Sequence, residues 1–469
     1  MNAPVKLNPF LAGNFGPVRS EDDFADLPIK GEIPAALSGM FYRNGPNPQF
    51  EPRDPNHHWF AGDGMLHAFH VEGGRVSYRN RYVRTPRWEI EHKAGHSMFG
   101  TFGNPLTTDP SVMGEDSGVA NTNIVLHAGR LLALEEGHQP FEVDPKTLGP
   151  RSYLDYAGSA KRFTAHPKFD PETGEMVFFG YMAGDMPLTA NIAYGVVDAK
   201  GTVTRLDRFE APFASMVHDF IVTRGHVVFP ILPATLSLDR AMKGMPPIAW
   251  EPDAGAYLGV LARNAGIETL RWFKTDPNYV FHFMNAWEEG SKIFIDAMEY
   301  PAAPLFPNAD GTPGKRSFAV LKRWTIDLAG DTDTIKREVL NDVAGEFPRV
   351  DDRRAGLSYR HGWTAAHIAG DLETQFDRIA HVDLQTGRKQ EFVFADGDIP
   401  GEPVFVPRDA QAEEGDGFVV TIVYRSAENR SDFAVFEAQD IAKGPIGTAM
   451  LPRRVPFGFH GNWVDASQL

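Results

Sequence analysis

Four histidines in apolar surroundings are the residues of this chain best suited to bind a metal ion. They are His166 in FTAHPKFD, His218 in MVHDFIV, His282 in YVFHFMNAW and His460 in FGFHGNW. Each lies at or near the end of a strand-like run, and successive members are 52, 64 and 178 residues apart. This spacing excludes a local motif such as H-E-x-x-H, but strands converging on one axis could bring the imidazoles together. Four unrelated core histidines, each bonded to a carbonyl, are the alternative that spacing leaves open.

Three glutamates inside apolar sequence are candidate partners of these histidines. Glu136 follows the run LLALE, Glu346 lies in AGEFPR and Glu402 lies in GEPVFVP. A metal-ligating imidazole usually donates its other N–H to a carboxylate or carbonyl, and a buried carboxylate without a partner is costly. A ligand histidine would supply that partner. For Glu346 and Glu402, the alternative is a loop carboxylate bonded to the backbone or to an arginine.

The elements that must position these side chains are predicted to be short strands. Apolar runs typical of strands recur at residues 130–135, 176–181, 226–232, 292–298, 417–424 and 432–437. The 45 glycines and 36 prolines are spread along the chain and favour tight turns between such strands. The pattern indicates an all-β sandwich, barrel or propeller. Because the glycines and prolines are evenly distributed, we predict a single domain over residues 1–469.

Charge and composition exclude several classes of protein. The formal net charge of −16 repels phosphate backbones and anionic membranes, so binding of nucleic acid is not expected. The chain has 0 cysteines, which excludes disulfides, thiolate nucleophiles and iron–sulfur clusters. Residues 1–17 lack the features of a signal peptide, and no apolar run approaches the ~18 residues of a membrane span. We therefore expect a cytoplasmic protein without integral membrane association.

Several longer motifs carry a resemblance to a known family. FYRNGPNPQF, FAGDGMLHAFH, ANTN, AGEFPR, EPVFVP and HGNW occur together with the four histidine contexts, in order and over essentially the whole length. In these motifs the chain resembles the carotenoid cleavage oxygenases. The resemblance implies a seven-bladed β-propeller with a helical and loop dome over the iron-bearing axial face. It implies iron(II) ligands at His166, His218, His282 and His460, partner carboxylates at Glu136, Glu346 and Glu402, and Thr122 beside an open iron position.

The segments GNPLTTDP, GLSYRHGW and SDFAVFEAQDIAKGP look most like bacterial lignostilbene or resveratrol-type dioxygenases. Those enzymes cleave 4-hydroxystilbenes and hold the phenol with a tyrosine and a lysine beside a phenylalanine. Phe60 matches the phenylalanine, whereas Phe102 and Glu135 stand at the tyrosine and lysine positions. Because Phe102 can only pack and Glu135 would oppose a phenolate, we expect a substrate that differs from the 4-hydroxystilbenes of those enzymes. A stilbene or phenylpropenoid is the first choice, and an apocarotenoid is the alternative.

The resemblance also implies the reaction. Dioxygen is the co-substrate, a small apolar or aromatic alkene is cleaved at its double bond into two carbonyl products, and no organic cofactor takes part. A monomer or weak dimer is expected. Two other functions are weighed: a non-catalytic propeller, which would lack iron, and an isomerohydrolase, which the acidic chain without an apolar anchor disfavours.

Overall fold

Strands dominate the computed structural model, which describes residues 8–101, 104–156, 161–367 and 376–469. The first part contains β1 (Asp23–Phe24), β2 (Ile29–Gly31), β3 (Gly39–Pro46), β4 (Gly64–Glu72), β5 (Arg75–Tyr82) and helix α1 (Pro86–Ala94). Next follow β6 (Asn123–His127), β7 (Arg130–Leu134), β8 (Phe141–Val143), β9 (Pro150–Tyr153), β10 (Lys168–Phe169), β11 (Met176–Tyr181), β12 (Asn191–Val197) and β13 (Val203–Glu210).

The middle of the chain continues in the same way. It contains β14 (Ile221–Val222), β15 (His226–Ile231), β16 (Ala234–Leu236), helix α2 (Leu238–Met242), β17 (Ile248–Trp250), β18 (Ala256–Ala262) and β19 (Arg271–Thr275). A longer run then holds β20 (Tyr279–Glu289), β21 (Lys292–Tyr300), β22 (Val320–Asp327), β23 (Lys336–Val350), β24 (His361–His367), β25 (Arg378–Asp383) and β26 (Arg388–Val393).

The last part contains β27 (Ile399–Pro400), β28 (Val404–Pro407), β29 (Gly417–Arg425), β30 (Arg430–Glu437), β31 (Gly447–Met450) and β32 (Gly461–Asp465). Short 3-10 helices interrupt the connections at Pro9–Leu11, Gly13–Phe15, Trp59–Ala61, Pro105–Thr107, Pro110–Val112, Pro252–Ala254, Ile267–Thr269, Asp352–Arg354, Ile441–Lys443 and Ala466–Gln468.

Consecutive strands pair antiparallel into sheets that follow one another along the chain. β6–β9 and β10–β13 form four-stranded meanders, β14, β15, β18 and β19 form another, and β20–β26 form one seven-stranded sheet. β2 joins β27–β31, while β32 pairs with β3 next to β4, β5 and β1. Neighbouring sheets contact each other from β14 to β20, from β23 to β28, from β28 to β32 and from β32 to β6, and β20 also contacts β23 within the seven-stranded sheet. This succession confirms the predicted all-β propeller; because β20–β26 exceeds one four-stranded blade, the count of seven stays a prediction.

Strand patterning explains why the sheets stack. In β5, Val76, Tyr78, Asn80 and Tyr82 are buried while the side chains that alternate with them are at least partly exposed, which is the period of a strand covered on one face. All six residues of β11, MVFFGY, are buried, which is typical of a strand enclosed on both faces. Full burial of a side chain such as Phe179 contributes about 1.5–3 kcal/mol through removal of apolar surface from water.

Long connections cover one end of the sheets. The connection after β5 contains α1, whose first turn is capped by the Thr85 hydroxyl and whose last turn ends at Gly95 with φ +77°. The β21–β22 connection, residues 301–319, lies at the same end, because both connections line the cavity described below. They form the predicted dome. Among the described residues, no helix is long and apolar enough to cross a membrane.

Candidate metal centre

The four predicted histidines lie at the starts of sheets. His166 precedes β10, His218 precedes β14, His282 lies inside β20 and His460 directly precedes β32. β10, β14 and β20 each begin one sheet, and β32 lies at the edge of another. The propeller therefore brings together side chains that are far apart in sequence.

The four imidazoles form a single cluster. Nε2 of His218 lies 3.1 Å from Nε2 of His166 and 3.3 Å from Nε2 of His282. The ring centroid of His460 is 4.6 Å from that of His166 and 4.7 Å from that of His282. One ligand nitrogen from each histidine lies within 4.8 Å of all the others. Two nitrogens ~2.1 Å from a common ion are about 3 Å apart at a right angle, so this donor set fits one metal ion.

Three of the four histidines face a carboxylate through Nδ1. The pairs are Glu136 with His218, Glu346 with His282 at 2.5 Å, and Glu402 with His460 at 3.0 Å. An Nδ1–H that donates to a carboxylate fixes the ring and leaves the Nε2 lone pair for a metal. All three predicted carboxylates therefore lie where a metal centre would require them. The backbone and arginine partners of the alternative are present as well, because Glu346 accepts the Phe347 N–H and Glu402 accepts the Gly461 N–H and lies 3.5 Å from Arg349.

Burial favours the neutral form, which ligation requires, at His166 and His460, whereas Glu346 outweighs burial and raises the pKa of His282. Burial, together with the neighbouring imidazoles, holds the pKa of His166 well below its usual value. Burial also lowers the pKa of His460 to about 4, although Glu402 opposes this shift. Burial alone would raise the pKa of Glu402, but His460 and Arg349 outweigh it and lower that pKa to about 2. The Glu402 carboxylate is therefore ionised and accepts the Nδ1–H of His460.

Two β-bulges aim His282 and Glu346 at each other. The β20–β21 register shifts between Val280 and Phe283, and the β23–β24 register shifts between Glu346 and Arg349. Bulges next to active sites commonly redirect one side chain. Phe347 adopts φ +55° within the second bulge, a conformation that costs about 1–3 kcal/mol for a residue other than glycine. Its ring stacks on His282 with centroids 5.4 Å apart, so the strained backbone also packs the cluster.

Two tyrosines lie beside the carboxylates and were missed by the sequence analysis. The Tyr181 hydroxyl donates to Oε2 of Glu136 over 2.6 Å, and Tyr300 lies beside Glu346. Burial and then the facing carboxylate raise both tyrosine pKa values well above normal, so both hydroxyls keep their protons. Each tyrosine ends a strand, β11 or β21, and a buried tyrosine hydroxyl needs a partner, which was the available signal in the sequence.

A cavity of 1130 Å³ opens onto the histidine cluster. His218, His282 and His460 line one end of it, and aromatic side chains such as Phe281, Phe347 and Phe459 line much of the rest. Mostly apolar walls with a few polar groups are typical of pockets for small organic ligands. The cavity can therefore place a flat apolar molecule against the metal cluster.

The remaining predicted site residues divide into two groups. Thr122, Phe60 and Glu135 line the cavity, while Phe102 lies outside the described residues. Thr122 contacts the histidine cluster through its backbone, because its carbonyl accepts the N–H of His460 over 3.1 Å. The Thr122 hydroxyl donates to Oδ1 of Asn121 over 3.0 Å.

Glu135 has contacts that the sequence analysis did not foresee. Its Oε1 accepts the N–H groups of Val119 at 2.7 Å and Ala120 at 3.2 Å. The same oxygen lies 3.0 Å from Nδ1 of His138, a second cavity residue that the sequence analysis missed. The run EEGH gave no signal for this histidine, because a lone histidine in a polar loop is usually solvated.

A β-propeller whose sheets converge on four clustered imidazoles, next to an apolar cavity, defines a four-histidine metalloprotein of the propeller class. The family described as retinal pigment epithelial membrane protein, RPE65, matches residues 15–465. Isoeugenol monooxygenase of Pseudomonas nitroreducens is 42% identical over 470 residues, which cover 97% of this chain and 98% of that protein. Lignostilbene-alpha,beta-dioxygenase isozyme III of Sphingomonas paucimobilis is 40% identical over 480 residues, which cover 98% of this chain and 97% of that protein.

A solved structure gives the same result. Pseudomonas brassicacearum lignostilbene dioxygenase matches with a TM-score of 0.94 at 35% identity, covering 99% of this chain and 100% of that chain. The chain therefore belongs to the RPE65/carotenoid oxygenase family. The predicted family and the prediction of an enzyme of the oxygenase class are confirmed.

Proposed function

We propose that this protein is a non-haem iron(II) oxygenase that cleaves the side-chain double bond of an aryl-alkene, either a phenylpropenoid or a stilbene. The observation that carries the proposal is the apolar cavity that ends on the four-histidine cluster. Similarity to isoeugenol monooxygenase and to a lignostilbene dioxygenase supports the substrate class. The atoms balance with dioxygen alone: the C=C bond breaks, each carbon gains one oxygen atom, and two carbonyl products leave.

In this proposal the ligands of the iron are His166, His218, His282 and His460. When bound, the iron(II) supplies the redox chemistry that makes dioxygen reactive towards an alkene. Four neutral imidazoles leave the full positive charge of the ion in place, unlike a set that contains a carboxylate. Three of the rings are held in orientation by Glu136, Glu346 and Glu402, and Thr122 lies beside the cluster at the cavity surface.

The cavity walls have two tasks in the reaction. Their aromatic side chains bind the flat substrate, and Phe60 packs edge-to-face against Phe459, the neighbour of His460, at 5.6 Å. The same walls exclude water, which strengthens electrostatic interactions around the cluster. Phe60 therefore lies close to where the alkene must be held.

Cleavage of an apocarotenoid is the second candidate, and the size of the cavity favours it. Pockets for small organic ligands usually measure ~300–1000 Å³, and this cavity measures 1130 Å³. A stilbene or a polyene fills such a volume better than a phenylpropenoid does.

Product analysis separates these candidates. Iron(II)-loaded protein is given 4-hydroxystilbenes, propenyl-phenols and apocarotenals, in air and without oxygen, and the products are identified by mass spectrometry. We expect aromatic aldehydes in air only. Shortened apocarotenals without aromatic aldehydes would favour the second candidate, and no oxygen-dependent product from any substrate would overturn the proposal.

We further propose that residues 1–469 form one domain, which the pairing of β3 with β32 supports because it joins the two ends of the chain. A cytoplasmic location and a monomeric or weakly dimeric state stay predictions.

A further inference from the structure

A histidine–glutamate pair lies in the cavity wall beside the metal cluster. Nδ1 of His138 is 3.0 Å from Oε1 of Glu135, and both residues line the cavity. The pair follows β7 and flanks Glu136, which faces His218. One short loop therefore supports the metal cluster and also presents an imidazole to the cavity.

This loop is fixed on several sides. Glu135 accepts the N–H groups of Val119 and Ala120, and Nη1 of Arg162 donates to the Gly137 carbonyl over 2.7 Å. Because the carboxylate is anchored by backbone amides, it can hold the His138 ring in one orientation. The arrangement is a built polar site and not a pair of solvated side chains.

The carboxylates near the ring raise its affinity for a proton. Burial lowers the pKa of His138, but Glu135 and then Asp116 outweigh burial and raise that pKa above normal, with Arg162 opposing them. Burial raises the pKa of Glu135, but His138 and the two backbone amides outweigh it and lower that pKa. The pair can therefore accommodate an imidazolium beside a carboxylate.

His138 has a ring nitrogen available for a ligand. Nδ1 lies 3.0 Å from Oε1 of Glu135, and within the part of the chain that the structure describes Nε2 makes no hydrogen bond. The side chain remains 26% exposed, compared with 13% for Glu135. Nε2 is thus the atom through which the pair can contact a molecule in the cavity.

Two other polar residues of the cavity, Asn121 and Arg87, are less suited to this role because their polar groups already have partners. The Asn121 amide donates to the carbonyls of Phe60 and Gly62. Arg87 lies between Asp63 and Glu91, at 3.7 and 4.0 Å, and these two carboxylates balance its charge.

We propose that His138, held by Glu135, binds the phenolic hydroxyl of the substrate and so selects aryl-alkenes with a free hydroxyl group. The inference rests on the proposed function and deepens it. Neutral Nε2 accepts the phenolic O–H; if the proton moves, it passes from the phenol oxygen to Nε2 and leaves a phenolate beside an imidazolium. Nδ1 stays on the side of the ring that faces Oε1 of Glu135 in both states. His138 thus determines specificity, while the cleavage chemistry stays at the metal cluster.

The test compares a hydroxylated substrate with its methoxy analogue, in the wild-type protein and in His138→Leu. We expect wild type to prefer 4-hydroxystilbene over 4-methoxystilbene in kcat/KM. In His138→Leu, kcat/KM for the hydroxyl compound falls about 10–100-fold, the range expected for loss of a hydrogen bond to a charged group, mostly through KM. Turnover of the methoxy compound and iron content change less than twofold. His138→Gln, which can still accept a hydrogen bond, should restore part of the preference.

A binding measurement separates failure of this inference from failure of the proposed function. Calorimetry without oxygen gives the affinities of the iron(II)-loaded protein for both stilbenes, whether or not they are cleaved. Preference for the hydroxyl compound in wild type and its loss in His138→Leu support the inference even if no product forms in air. Equal affinities in wild type, or a preference that survives in His138→Leu, overturn it. The matched control is His70→Leu, because His70 is an exposed histidine of β4 that does not line the cavity.

Discussion

Two parts of the cavity surface are built differently. At the metal end, which is the end of the cavity where the histidines lie, three of them each face a carboxylate. Those carboxylates accept hydrogen bonds in turn from the Tyr181 hydroxyl and from the N–H groups of Phe347 and Gly461. The substrate wall, defined here as Phe60, Glu135 and His138, combines one aromatic ring with one polar pair. Groups at the metal end are thus fixed by layers of buried hydrogen bonds, whereas the wall presents side chains to whatever enters the cavity.

This difference separates the reaction from the choice of substrate. A metal centre tolerates little change because each ring must keep its orientation, and its supporting partners matter almost as much as the ligands do. A pocket wall can change its polar anchor without disturbing the chemistry, since specificity comes from a small number of placed groups. Substitutions at the metal end should therefore alter iron content, and substitutions in the wall should alter KM.

The largest effect is expected from His282→Ala. Loss of one imidazole opens the ligand set and leaves Glu346 buried without its histidine. We expect no detectable product and a fall in iron affinity of more than about 100-fold, beyond that for loss of a supporting group. Metal analysis and oxygen consumption measure the two quantities.

His226→Ala is the matched control for that variant. His226 pairs with Glu288 at 3.0 Å at the start of β15, so the change removes a histidine–glutamate pair away from the cluster. Its iron content and rate should stay normal. A folded His282→Ala protein with normal iron content and rate would remove His282 from the site.

A smaller effect at the same end is expected from Glu346→Gln. The amide retains the shape of the carboxylate, but it loses the charge that faces Nδ1 of His282 and is a weaker acceptor for the Phe347 N–H. We expect iron affinity or activity to fall about 10–100-fold. Titration of the iron-free protein with iron(II) gives the affinity, with Glu288→Gln as the control. A loss below about twofold would mean that Glu346 does not orient His282.

The metal end could be predicted from the sequence because its members lie in long, recognisable contexts. His282 in YVFHFMNAW and Glu346 in AGEFPR can each be matched over several neighbouring residues. The all-β class followed from recurrent apolar runs and turn formers. The blade count did not follow from strand pairing alone, because β20–β26 are continuous in one sheet.

The features that were missed depend on tertiary contacts. The positive φ of Phe347 is imposed by a bulge between β23 and β24, and no local preference of phenylalanine favours it. Tyr181 and Tyr300 look like ordinary strand residues until their carboxylates are placed. The role of His138 can be inferred only from its contact with Glu135 and from its position in the cavity wall.

The smallest effect is expected from Phe60→Leu, which changes the substrate wall and leaves the histidine cluster and its carboxylates intact. Leucine keeps the wall apolar but removes the aromatic face that packs near Phe459, and aromatic pairing is worth about 0.5–1.5 kcal/mol beyond burial. KM for a stilbene should therefore rise by a factor of about 2 to 13, while kcat and iron content stay within twofold. Phe392→Leu, a half-buried ring that does not line the cavity, should change none of these. If Phe60→Leu lowered iron content as Glu346→Gln does, the wall and the metal end would be one coupled unit, and the separation of substrate choice from chemistry would be wrong.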